Sequence, residues 1–260
     1  MKIYIITDLE GPALVSRFEQ TRGRTESPEQ KREAMQLLTG EVNAAVDGIL
    51  DACPQSEIVV WDGHGSGGID LLSFHPKAQL IARGPIRPPY HLDASFSGLF
   101  FVGQHAMAGT ENAPLCHTYS SKRIEHYKIN GQFVGEFGAR AMMAGTFGVP
   151  AVFVSGDDKA VAEARALVPG IHAATVKQGL GRELALHLSA QAARELIRTV
   201  AAEAVRDMGN IRPVATQPPY TQEIRVQEGV DIEGYLKSGA ERIDDRTVLV
   251  RSDNICDLRI

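Results

Sequence analysis

Cysteine is scarce in this chain: Cys53, Cys116 and Cys256 are the only three in 260 residues. They are odd in number, widely spaced and without a CxxC pair, which argues against a disulfide framework and for a reducing, cytoplasmic compartment. Long apolar runs are missing too. The stretch from Ile3 to Ile6 meets Asp8 and Glu10 too soon for the core of a signal peptide, and no later segment would cross a bilayer. Nor is there an excess of one charge. A formal net charge of −5, with a pI near 5.9 and both signs interspersed, supplies no electrostatic reason to expect nucleic acid or anionic membrane as a partner. Internal repeats and low-complexity tracts are absent. What remains is ordinary globular composition, 43% hydrophobic and 23% charged, enough for one large α/β domain or two smaller ones.

Apolar strands alternate with helical patterns along most of the chain. A strand over residues 2–8 is followed, after a loop, by Ser27-Pro28-Glu29-Gln30, which reads as a helix start with a Ser cap and Pro at the first helical position. Ala34, Leu37, Leu38, Val42, Ala45, Val46, Ile49 and Leu50 then share one helical face. A strand at 57–62 completes a β-helix-β unit, so these two strands should be parallel neighbours. Further strands are expected near 79–83 and 98–103. Asn130-Gly131 marks a hairpin between 124–129 and 132–134, and a helix follows over about 135–147. Next come a strand at 150–155, a helix capped by Asp157, a strand at 172–177 and an Ala-rich helix at 189–208 opened by Ser189. Pro, Thr and Gln around 212–219 read as a linker. Beyond it lie strands near 221–227 and 246–252 around a short helix at 230–237. The expected fold is α/β: a three-layer, mostly parallel open sheet with helices on both faces, plus a smaller C-terminal α+β portion. The division is a core over 1–211 and a portion over 212–260 that packs on that core or completes it.

Five metal-ligating side chains fall where these strands end. Asp8 and Glu10 follow the first strand, His64 follows the second, His105 follows Leu99-Phe100-Phe101-Val102, and Glu136 opens a helix. In an open α/β sheet the strand carboxyl ends share one edge and ligands bind in the crevice there, so residues distant in sequence would meet in one pocket. If the first strand persists to Glu10, alternation aims Asp8 and Glu10 together. Mixed His and carboxylate donors suit zinc and related metals. With Asp8 bridging, Glu10 and His64 could complete one site, and His105 and Glu136 another. Each fragment alone has a bland reading, a solvated acid pair or a surface histidine. Three successive strand ends delivering such residues make the bland reading weaker.

His117, in Pro114-Leu115-Cys116-His117-Thr118, lies away from any apolar periodic segment and could move protons near a metal-bound substrate. Cys116 points the other way on an extended chain and reads as a small buried hydrophobe. Asp62 reads equally as a partner of His64 or an ordinary strand-end acid. The loop 63–68 lacks the Lys-Ser/Thr ending of a phosphate-binding loop, and Gly179-Leu180-Gly181 does not fit the dinucleotide pattern.

Taken in order, Asp8-Leu9-Glu10-Gly11, Asp62-Gly63-His64, Gly103-Gln104-His105-Ala106, Cys116-His117-Thr118, Ile129-Asn130-Gly131, Val134-Gly135-Glu136 and Val154-Ser155-Gly156-Asp157-Asp158 resemble the zinc-dependent, self-compartmentalising D-aminopeptidases typified by the enzyme of the bacterial dipeptide-transport operon. The resemblance runs to about residue 178 and more weakly onward. It implies that Asp8, Glu10, His64, His105 and Glu136 hold two zinc ions per subunit, with Asp8 bridging, and that His117 is the catalytic histidine. It further implies release of amino-terminal D-residues from short peptides, and a homo-oligomer, a decamer of two stacked rings with sites facing an internal channel. Two other readings stay open on the residues alone: a dinuclear metal hydrolase of another amide or ester, and a non-catalytic metal-binding homologue.

Overall fold

The computed structural model describes residues 1–22, 28–82 and 86–260. In chain order its strands and helices are β1 (Lys2–Thr7), α1 (Phe18–Thr21), α2 (Pro28–Ala52), β2 (Glu57–Asp62), β3 (Gln79–Ile81), β4 (Gly98–Gln104), β5 (Ile124–Ile129), β6 (Gln132–Phe133), α3 (Glu136–Thr146), β7 (Ala151–Asp157), α4 (Asp158–Leu167), β8 (His172–Gly181), β9 (Leu184–His187), α5 (Ala190–Asp207), β10 (Tyr220–Val226), α6 (Glu233–Leu236), β11 (Glu241–Arg242) and β12 (Thr247–Ser252). The cap expected at Ser27 lies outside the described residues, as does the end of the strand expected to reach 83.

Among the described residues the main sheet runs β3-β2-β1-β4-β7-β8-β9, all parallel except the last pair. Its central strands are near-continuous apolar runs because helices cover both faces: Ile3 to Ile6, all of β4 and all of β7 are buried. The connection through α2 carries the chain outward from β1 to β2, while those through α3 and α4 carry it the opposite way, from β4 to β7 and on to β8. Right-handed crossovers then place α2 on one face and α3 and α4 on the other, with α5 returning against α2. The strand order therefore reverses between β1 and β4, which opens a crevice at their carboxyl ends.

The fold matches the expected three-layer α/β plan, and local signals explain its punctuation. Asp157 caps α4 by accepting from the Lys159 and Ala160 amides, and the Ser189 hydroxyl accepts from Ala192 N at the start of α5. Asn130 and Gly131 both have positive φ, as a tight hairpin turn between β5 and β6 requires. One hairpin escaped the sequence: β8 continues to Gly181 and turns back as β9, whose Leu184 and Leu186 are exposed.

The second sheet, antiparallel in the order β11-β12-β10-β5-β6, joins two distant stretches of chain. Strand β10, beyond residue 212, pairs with β5 from Gln222↔Ile129 onward. Its burial alternates residue by residue, as expected for a sheet covered on one face. On the open face Glu223 accepts from Lys128 Nζ at 2.7 Å and lies 3.1 Å from His126 Nε2.

At the crevice, β1 and β4 stay locked beyond the end of regular pairing. Asp8 N donates to Val102 O at 3.0 Å and Gly11 N to Gly103 O at 2.8 Å. A Cβ at Gly11 would lie 2.0 Å from the Gly103 carbonyl carbon, and one at Gly103, whose φ is +83°, would lie 2.1 Å from Asp8 O. Backbone faces backbone, so neither clash has a flexible side chain to absorb it. Gly103→Ala is expected to destabilise the protein by about 3 kcal/mol or more, seen as a lower urea midpoint at unchanged m-value. A change within about 0.5 kcal/mol would show that this contact can relax.

Candidate metal centre

The crevice gathers all six side chains expected there. His64 Nδ1 lies 3.1 Å from Asp8 Oδ1 and 3.2 Å from Glu10 Oε2. The other Asp8 oxygen, Oδ2, is 3.3 Å from His105 Nε2, which is 3.5 Å from Glu136 Oε1. His117 Nε2 reaches the same Glu136 oxygen at 3.9 Å, and its ring stacks on His105 with centroids 4.1 Å apart. Asp8, Glu10 and His64 form one group with a donor atom from each within 4.8 Å of the others; His105, His117 and Glu136 form a second. Asp8 touches both histidines through different oxygens.

The two carboxylates of the first strand end do not converge by alternation, because β1 stops at Thr7. A clamped loop brings Glu10 in. Lys177, fully buried on β8, donates from Nζ to the carbonyls of Glu10, Pro12 and Val15, while Glu41 on α2 accepts from Ala13 N at 2.8 Å. Glu136 occupies the first position of α3, where the helix dipole favours an anion.

Backbone contacts fix how each histidine faces the cluster. His64 Nε2 donates to Thr21 O at 2.9 Å, His105 Nδ1 to Ala106 O at 2.9 Å and His117 Nδ1 to Leu115 O at 2.8 Å. A carbonyl only accepts, so the hydrogen sits on these nitrogens and the opposite nitrogen of each ring presents its lone pair to the carboxylates. Lone pairs facing lone pairs need a cation between them. The buried atoms Glu10 Oε2 and His105 Nε2 also have no hydrogen-bond partner of good geometry. Three imidazole nitrogens and three carboxylates fit a divalent metal such as zinc.

Without metal, protons must serve. Burial opposes charging His64, but Glu10 and Asp8 outweigh it and raise its pKa well above 6.5; for His105 the overriding partners are Asp8 and Glu136. Burial likewise opposes ionisation of Asp8, yet His105 and His64 hold it well below the usual carboxylate range. In Glu136 burial and Asp8 work against ionisation, while His105 and Arg140 prevail and bring its pKa to about 2.

Three supporting residues, Arg140, Tyr119 and Lys177, were not singled out from sequence. Arg140 lies one helical turn beyond Glu136, with Nη1 3.2 Å from Glu136 Oε2 and its guanidinium over the rings of Trp61 and Tyr119. The Glu-Arg spacing of four was the available signal. Tyr119 N donates to Glu136 Oε1 at 2.8 Å. Lys177 had no signal, since a lysine inside a strand pattern reads as an outward side chain. Asp62 accepts from Gly68 N at 2.9 Å and Ile69 N at 3.3 Å, so it shapes the glycine loop that carries His64. Cys116 is half-buried and donates weakly to Thr110 O. The cluster floors an open cleft of about 450 Å3, with Phe18, Arg22, Ser66 and Lys122 among its walls.

Comparison with known proteins places this geometry in context. The model of the D-aminopeptidase family matches residues 1–259. A D-aminopeptidase of Bacillus subtilis (strain 168) is 30% identical over 224 residues, which span 84% of this chain and 78% of the relative. The solved structure of the Zn-dependent D-aminopeptidase DppA from Bacillus subtilis, described as a self-compartmentalizing protease, is similar with a TM-score of 0.90 at 26% identity, covering 98% of this chain and 93% of that one.

The histidines and carboxylates of the cluster pull metal-free stability in opposite directions with pH. His64 and His105 have folded pKa values above 6.5, so their contribution is full below that value and fades as pH rises through the folded pKa. Asp8 and Glu136 are depressed, so theirs is full above the ordinary carboxylate range and fades as pH falls through the folded values, about 2 for Glu136. Metal-stripped protein should therefore melt highest between about pH 5 and 6.5, with an alkaline decline that flattens in a His64→Ala/His105→Ala variant. An alkaline limb identical in that variant would contradict the assignment.

Proposed function

The chain belongs to the D-aminopeptidase family, and from that premise we propose that it is a dinuclear zinc aminopeptidase that removes amino-terminal residues, D-residues by preference, from short peptides. The observation that carries the reading is the division of Asp8: one carboxylate oxygen faces His64 and the other faces His105, as a bridging ligand between two metals would. In this reading Asp8, Glu10 and His64 would hold one zinc, and Asp8, His105 and Glu136 would hold the other. Bound there, such ions lower the pKa of water and polarise a carbonyl.

The chain's own groups supply the rest. Arg140 and Tyr119 N hold the Glu136 carboxylate in place from two sides. His117, anchored by its Nδ1–H to Leu115 O, turns Nε2 toward the cluster, where it can take a proton and return it to the departing amine. Buried carboxylates and a sheltered floor keep bulk water from screening these charges. The D-preference rests on the family description, and zinc on the similar solved structure. The self-compartmentalizing description of that neighbour supports a homo-oligomer, with two stacked rings of five as the specific proposal. Free thiols fit a cytoplasmic setting, and no helix among the described residues is long and apolar enough to cross a membrane.

His64→Ala should lose one metal equivalent and at least about 10³-fold in kcat/KM, with the fold retained by circular dichroism. His117→Ala should keep both metals and lose about 10²–10⁴-fold in kcat. Loss of a metal in His117→Ala would instead make this residue a ligand, a second reading favoured by its place beside His105 and Glu136. Relative kcat/KM on D-alanyl, L-alanyl and ester substrates tests the substrate class; equal turnover of both enantiomers would remove the D-preference.

A further inference from the structure

Glu163 lies on α4, outside the cluster, yet it is bonded to the backbone on both sides of the second metal group. Its Oε2 accepts from Met107 N at 2.9 Å, two residues past His105. Its Oε1 accepts from Gly135 N at 3.2 Å, the residue before Glu136. The fit is close: a Cβ on Gly135 would lie 2.5 Å from Glu163 Oε1 and 2.9 Å from Met107 Cβ. His105 and Glu136 stand at opposite ends of the excursion 106–135, which leaves the main sheet, builds β5 and β6 in the second sheet, and returns. A single carboxylate therefore ties together the start and the finish of that excursion. His117 belongs to the same unit, since its backbone N–H donates to Ala106 O at 3.3 Å.

We propose that Glu163 is a positioning residue for the second metal, setting the separation between His105 and Glu136 without touching either the metal or the substrate. The inference rests on the dinuclear reading above. Hydrogen-bonding partners one layer removed from a metal typically govern its affinity by 10–100-fold. Each of the two backbone N–H groups meets its own oxygen of the one Glu163 carboxyl group. A Gln at this position would keep one acceptor and turn an amide donor against the other N–H.

The test is a Co2+ titration of metal-stripped protein, followed by visible absorption and calorimetry. Wild type should take two equivalents. Glu163→Gln should bind the first as wild type does and the second about 10–100-fold more weakly. In a His105→Ala background, which retains only the Asp8, Glu10 and His64 group, Glu163→Gln should leave the remaining affinity unchanged. Equal weakening of both equivalents would mark a general structural role and overturn the proposal, as would two equivalents bound with wild-type affinity. Glu163→Ala, read the same way, guards against an accidental substitute bond from Gln. A wild-type protein that takes up fewer than two equivalents would instead sink the dinuclear reading itself, and this inference with it.

Discussion

Buried carboxylates repel one another unless something positive stands between them, and the crevice of this protein holds three within a few ångströms. Burial alone would push Asp8 and Glu136 toward the protonated form. The surrounding residues prevent this with Arg140 behind Glu136, the backbone N–H of Tyr119, and imidazoles whose outer nitrogens are already committed to carbonyls. With the imidazoles neutral, these partners leave lone pairs aimed inward, and in the metal-free protein protons on His64 and His105 fill that place. A site built in this way favours a divalent cation over protons, because a cation satisfies several donors at once where a proton satisfies two.

The fold supports that cluster by making the crevice floor stiff. Parallel strands with both faces covered end together at the point where strand order reverses. There the chain leaves β1 pressed backbone to backbone against β4, with glycine on each side of the contact. Lys177 reaches across from β8 to hold the following loop by three carbonyls, a use of buried charge that depends on full satisfaction of its donors. Asp62 does the corresponding work for the loop of His64. Ligands on short, tethered loops beside rigid strands keep their geometry without being part of the strands.

How much of this was legible from sequence follows from which forces are local. Strands buried on both faces announce themselves as unbroken apolar runs, so the ends of β1, β2 and β4, and with them Asp8, His64 and His105, could be read directly. Caps at Asp157 and Ser189 and the turn at Asn130-Gly131 are equally local. Glu10 was placed in the right pocket by an argument that does not hold, because strand alternation ends before it and a buried lysine 167 residues away does the placing. The hairpin ending in β9 was missed because its leucines alternate outward, against the usual pattern. Strands are also expected where β5 and β10 lie, the first from the Asn130-Gly131 turn, but nothing in either reveals that they are neighbours. Pairing between distant segments is a property of the assembled core.

That pairing has a consequence in the time order of synthesis. Strand β5 ends at residue 129, and the strand that covers its open edge begins at residue 220. The excursion bearing His117 and leading into Glu136 therefore leaves the ribosome long before its sheet can close, and contacts of such separation form late. Asp8 and His64, at the ends of β1 and β2, can settle earlier, whereas Glu10 waits for Lys177 on β8. The group around His105 and Glu136 therefore waits on a strand made long after its own residues have left the ribosome.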